Sequence, residues 1–94
     1  MIKMKLTCAP EHIVYILSDK SNVTFVGISG NIKLLFDEQK NSFSKLIYFE
    51  KFSDKDKAFR RKRDLDKLDE SKRLRIVKNK NPELLNLIFT IYGN

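Results

Sequence analysis

Two apolar runs, HIVYIL over residues 12–17 and VTFVGIS over 23–29, stand on either side of the five polar residues SDKSN. Both are rich in β-branched and aromatic residues, so they read as strands, and the short polar spacer joins them as a β-hairpin. Nearly every position in the pair is apolar, which predicts burial on both faces and a central place in the fold. KLIYF at 45–49 supplies a third strand. Between them Asn31 is placed to cap a helix in which Ile32, Leu35, Phe36 and Gln39 share one face, with Leu34 turned outward and an end near Lys40. Two short connections and one intervening helix favour a small sheet with helices packed against it, an α+β arrangement.

The rest of the chain is helical in pattern. Ser53 or Asp54 caps a helix carrying KAFRRKRDLDKL, residues 57–68. At 100° per residue Ala58, Phe59, Leu65 and Leu68 form its apolar arc, and Arg60, Arg63, Asp64 and Lys67 lie outside it. Arg61 and Lys62 fall inside the arc, where a cation snorkels, pairs with a carboxylate or lines a site. Asp66, one turn after Lys62, is the expected partner, in a pair worth about 0.2–0.5 kcal/mol. A further helix beginning near Asp69 or Ser71 turns Leu74, Val77 and Ile76 inward and Lys72, Arg73, Arg75 and Lys78 outward. Asn81-Pro82-Glu83 reads as a helix start, and Leu84, Leu85, Leu87, Ile88 and Ile91 after it as a buried helix.

Charge narrows the choice of partner. Residues 51–80 hold 13 Lys/Arg against 6 Asp/Glu and so carry the whole net charge of +7. A regional excess of this kind suits the phosphates of DNA or another nucleic acid, and equally a solvated, soluble surface. The residues expected at phosphates, without base specificity, are Arg60, Arg61, Arg63, Lys67, Arg73 and Arg75. The 94 residues are expected to form one domain, with a core over about 12–91. The apolar runs are too short to span a membrane, and the N-terminal stretch lacks the core of a signal peptide, so a cytoplasmic protein is expected. The single cysteine, Cys8, excludes an internal disulfide and a thiolate-rich metal site. His12, the one histidine, sits at a strand start as a surface or packing residue, and Gly27-Ile28-Ser29-Gly30 lacks the lysine and spacing of a phosphate-binding loop.

Taken in order, VYIL (14–17), FVGIS (25–29), LIYFEKFSDKDKAFRR (46–61) and NPELLNL (81–87) resemble the GIY-YIG nuclease family. The pattern is most like that of its small stand-alone bacterial members, which are similar to the excinuclease nuclease module. The resemblance implies a three-stranded antiparallel sheet flanked by helices, and in active relatives phosphodiester hydrolysis with one divalent ion, Mg²⁺ here if the chain were active. It also implies roles by position. Tyr15 matches the first-strand tyrosine near the attacking water, and Gly27 closes the second-strand motif. Phe25 stands where a second tyrosine contacts the phosphate region, Leu35 where an arginine steadies the phosphate, and Gln39 where a histidine follows. Lys62 stands where the metal-binding glutamate would be, while Asn81 and Pro82 match the family's Asn-Pro.

An ammonium in place of a metal-binding carboxylate repels a divalent cation. Losing the arginine removes stabilisation of a kind commonly worth about 10² to 10³ in rate. The resemblance therefore implies an endonuclease-like domain without catalysis or cofactor, retaining nucleic-acid affinity. Two other readings stand beside it. One is a protein-interaction module in which Leu35 and Phe25 extend the core over a filled site. The other is an active metal-dependent endonuclease whose ligands have moved to Asp64 or Asp66.

Overall fold

The computed structural model describes residues 11–21, 23–39 and 44–93, leaving out the side chains of 32, 36, 39 and 91–93. Cys8 and the stretch around it lie outside the described residues. The chain runs β1 (His12–Ser18), β2 (Thr24–Ser29), α1 (Ile32–Gln39), β3 (Lys45–Phe52), α2 (Lys55–Asp66), α3 (Glu70–Lys80) and α4 (Ile88–Gly93). The three strands form one sheet in the order β2-β1-β3, antiparallel throughout. Tyr15 stands opposite Gly27 on one side and Phe49 on the other.

The hairpin closes without an Asn-Gly pair because Asp19 organises the turn. Its carboxylate accepts from the Ser21 and Val23 amides at 2.8 and 3.0 Å, and its own amide donates to the Val23 carbonyl at 3.1 Å. The same hydrogen bond sets the phase of the ladder. Residues 19 and 23 form a bonded pair, so Thr24, Val26 and Ile28 direct their backbone groups away from β1.

Only β1 meets the expectation of two buried faces. On one face Val14 and Ile16 join Ile47, Tyr48, Ala58, Leu65 and Val77 beneath α2 and α3. On the other Ile13 and Leu17 join Leu46, Leu35 and Ile88 beneath α1 and α4. β2 differs because it is an edge strand: Val26 is buried, whereas Phe25 on the opposite face is 51% exposed. An apolar run identifies a strand but carries no information about which strand acquires two neighbours.

Both sheet edges are partly closed by side chains, which limits pairing with other chains. On β3, the Leu46 amide donates to Asn86 Oδ1 at 3.2 Å and its carbonyl accepts from the Leu87 amide at 2.7 Å. On β2, Thr24 is held by Glu70 and Arg73 of α3. β3 itself runs to Phe52, beyond the expected KLIYF, with an irregularity in its pairing between Ile16 and Leu17.

Helix starts follow the sequence closely. Asn31 Oδ1 accepts from the Leu34 amide at 2.9 Å, Asp54 accepts from the Asp56 and Lys57 amides, and Asp69 Oδ1 accepts from the Lys72 amide at 2.9 Å. Leu34 faces outward and Leu35 inward, as expected. On α2 Ala58 and Leu65 are buried and Leu68 packs beside them after the helix has ended at Asp66. Phe59 departs from its arc. It is 44% exposed, at the arc's rim, with the Lys55 ammonium 5.8 Å from its ring centroid.

The segment after α3 corrects the sequence expectation. Asn81 does not start a helix but ends α3, its backbone amide donating to the Val77 carbonyl at 2.8 Å. Its side chain is spent on tertiary contacts: Nδ2 donates to the Ile47 and Leu85 carbonyls, both at 2.9 Å, and Oδ1 accepts from the Leu85 amide at 3.0 Å. Pro82 and Glu83 form a turn, Leu84 takes a left-handed conformation with φ of 52°, and α4 begins only at Ile88. Leu85 and Phe89 are exposed and Ile88 is buried, so the expected buried helix is a short one resting on a single fully covered side chain among the described ones. Ile91 lies outside the described side chains.

Candidate functional site

Tyr15 on β1 lies against Gly27, and Lys62 on α2 is close enough for its charge to act on the tyrosine. The ring of Tyr15 lies across Gly27 so closely that a Cβ at that position would overlap its Cζ and Oη atoms. No glycine among the described residues has positive φ, so Gly27 is required here by this close approach, and its backbone angles make no such demand. Burial raises the Tyr15 pKa above its ordinary value of 10.0; the Glu38 carboxylate raises it further, and the Lys62 ammonium lowers it. Tyr15 thus feels opposing charges, a carboxylate on α1 and an ammonium on α2. Nothing in the sequence pattern singles out Glu38, although it lies one turn after Leu35, whose inward direction the periodicity does reveal.

Lys62 pairs with Asp66, its Nζ 2.6 Å from Oδ2, which is the partner expected from the i, i+4 spacing. Both remain partly exposed, so the pair contributes no more than about 0.5 kcal/mol. Asp66 is thereby occupied by a cation, and Asp64 is exposed on the outer side of α2. Among the described residues no three His, Cys, Asp or Glu side chains form a group able to hold a metal ion.

The other family-matched positions are dispersed among different tasks. Leu35 is 1% exposed and packs among Ile13, Leu17, Leu46 and Ile88. Phe25 lies half-exposed on the edge strand and does not extend the core. Asn81 is 5% exposed and ties β3 to the 81–85 turn. Gln39 ends α1, with its side chain outside the described ones.

The cations expected at phosphates separate into two groups. Arg60, Arg63, Lys67 and Arg75 are exposed. Arg61, inside the arc, reaches β3 instead: its Nε lies 2.8 Å from Glu50 Oε2, an atom that also accepts from the Tyr48 hydroxyl. Burial and the Glu50 hydrogen bond raise the Tyr48 pKa, with Arg61 acting in the opposite direction.

Arg73 is a correction. It is only 9% exposed and directs its guanidinium between α2, α3 and β2. Nε donates to the Leu65 carbonyl at 3.1 Å, Nη2 to the Leu68 carbonyl at 2.8 Å, and Nη1 to Thr24 Oγ1 at 2.9 Å and Glu70 Oε1 at 3.1 Å. Glu70 in turn accepts from the Thr24 hydroxyl at 2.7 Å and the Thr24 amide at 2.9 Å. The guanidinium therefore adds a second donor to the Leu65 carbonyl, which also accepts from the Leu68 amide, and fastens the end of α2 to the beginning of β2. Arg73 lies one turn before buried Val77, so helical spacing allows an inward direction, against which its charge alone argues for solvent.

Comparison with known proteins establishes the fold. No family model matches the chain, and no curated protein does. Among solved structures, the chain is similar to a UPF0213 protein of Bacillus halodurans determined by NMR in solution, with a TM-score of 0.61 over 84% of this chain and 95% of that one, at 20% identity. The two share a fold. It is the α+β arrangement that the resemblance implied, a three-stranded antiparallel sheet flanked by helices. Among the described residues no helix is long and apolar enough to cross a membrane.

Proposed function

We propose that this chain is a GIY-YIG-like domain that has lost metal-dependent hydrolysis and binds nucleic acid through phosphates, without base specificity. The observation that carries the reading is the Lys62 ammonium, paired with Asp66 and within electrostatic reach of Tyr15, at the position that the resemblance matches to a metal-binding carboxylate. A divalent ion there would meet a positive charge whose nearest carboxylate, Asp66, is already paired. Leu35 supports the same conclusion, since a buried leucine supplies no charge to a phosphate and leaves no polar cavity for one. The surface supports binding: with Arg61 and Arg73 turned to internal partners, Arg60, Arg63, Lys67 and Arg75 remain exposed.

Binding of a labelled duplex across a salt series tests the first half. Each phosphate contact should steepen the fall of log K against log salt by about 0.9. Binding that is absent at low salt, or insensitive to salt, would sink the reading. Plasmid incubated with Mg²⁺ or Mn²⁺ tests the second half, with the Lys62→Glu variant alongside. The unmodified protein should leave the plasmid intact, and reproducible metal-dependent nicking by it would favour an active enzyme with relocated ligands.

A further inference from the structure

The basic third of the chain spans both α2 and α3, but the structure distributes its charge differently between them. On α2 the exposed cations are interleaved with carboxylates: Arg60 is four residues from both Asp56 and Asp64, Arg63 three from Asp66, and Lys67 three from Asp64. Helical neighbours at these spacings lie within a turn of one another, so an approaching phosphate meets both signs. On α3 no carboxylate occurs between Glu70 and Lys80, and Glu70 is turned onto Thr24 and Arg73. The buried face of α3 centres on Arg73 and Val77. Directly opposite, Ser71, Arg75, Lys78 and Asn79 recur at spacings of three and four and, with half-buried Leu74, line a shallow groove of about 410 Å³.

We propose that this outer face of α3 is the surface that engages the phosphate backbone of duplex nucleic acid. The inference rests on the nucleic-acid reading above and assigns it to one helix. Arg75 and Lys78 have no carboxylate within one helical turn on either side, and the flanking Ser71 and Asn79 are neutral hydrogen-bond donors suited to phosphate oxygens. Arg75 and Lys78 are about 4.5 Å apart along the helix axis, and one duplex strand presents a phosphate about every 3.4 Å of duplex axis, so two long side chains can engage phosphates of one strand. The groove contains no aromatic side chain on which an unpaired base could stack, which favours a duplex over a single strand.

The test compares three variants of the full chain in duplex-binding salt titrations: Arg75→Gln/Lys78→Gln, Ser71→Ala/Asn79→Ala, and Arg60→Gln/Arg63→Gln/Lys67→Gln. All these positions are exposed, and unchanged melting temperatures would establish that folding is intact. Losing the two α3 cations should flatten the slope by about 1.8, and losing the three α2 cations by less than about 1. The Ser71/Asn79 variant should bind several-fold more weakly with its slope unchanged, a result that bulk charge alone does not produce. Duplex DNA and duplex RNA are run in parallel to identify which backbone is preferred, with the corresponding single strand expected to bind more weakly. Wild-type protein that fails to bind any of them refutes the nucleic-acid reading itself. Wild-type binding with the larger slope change on α2, no effect at Ser71 and Asn79, or a preference for single strands overturns the assignment to α3 and leaves that reading standing.

Discussion

Replacing Arg73 by alanine should destabilise the protein by about 3 kcal/mol, far more than replacing its neighbour Arg75. The guanidinium serves three acceptors that water does not reach easily, the Leu65 carbonyl and the carbonyl and hydroxyl of Thr24, all in buried hydrogen bonds. A hydrogen bond to a charged group contributes about 1.5–3 kcal/mol, and stranding its buried partner forfeits most of that. Glu70 is about half exposed and can rehydrate when Arg73 is removed, so the full cost of about 3–5 kcal/mol for a broken buried ion pair is an upper limit. Set against a total stability of about 5–15 kcal/mol, the loss is large. At an m-value of about 1.3 kcal/mol/M it lowers the urea midpoint by roughly 2 M. Arg73→Lys should recover only part of the loss, since one ammonium cannot span acceptors on α2, α3 and β2 as the planar fork does. Arg75→Ala, at an exposed position, should stay within about 0.5 kcal/mol. Equilibrium urea unfolding followed by far-UV circular dichroism reads all three. A cost below about 1 kcal/mol for Arg73→Ala, with m unchanged, would refute the assignment of Arg73 as a clamp.

Gly27→Ala forces the Tyr15 ring out of its position and should destabilise by about 1–3 kcal/mol; removing the ring with Tyr15→Leu in the same chain should recover part of the loss in a double-mutant cycle measured by urea. Leu35→Arg places a cation among Ile13, Leu17, Leu46 and Ile88, so thermal unfolding should show at least about 3 kcal/mol of destabilisation. Tyr15 and Tyr48 both ionise above 10.0 in the folded state, so the unfolded chain loses these protons first. Their contribution is fully present below about pH 10 and is lost as pH rises through the folded values, and Tyr48→Phe should flatten that alkaline decline in stability, as urea midpoints measured across the alkaline range would show.

The strands and caps are legible because their causes are local. β-branched and aromatic runs favour extended backbone, and Asn31, Asp54 and Asp69 each bond amides two or three residues ahead. Helical spacing also yields the Lys62–Asp66 pair and the burial of Leu35. Local pattern misleads where it is compatible with two destinations. Asn81-Pro82-Glu83 meets the rules for a helix start, yet the Asn81 side-chain amide is drawn to the Ile47 carbonyl of β3, a group 34 residues distant in the chain. Glu50 attracts Arg61 in the same way, across the gap between α2 and the sheet.

The sequence by itself determined the α+β content, the helix caps at Asn31, Asp54 and Asp69, and the basic third of the chain. Tertiary structure alone decided that β1 is the central strand and β2 an edge, that Arg73 is interior, and that Glu70 is turned onto Thr24 and Arg73. Local sequence sets which way a backbone turns and which side chains share a face. Whether a charge on that face meets water or a buried carbonyl depends on where the other elements come to rest, and Arg73 is buried because α2 ends and β2 begins within reach of its five donors.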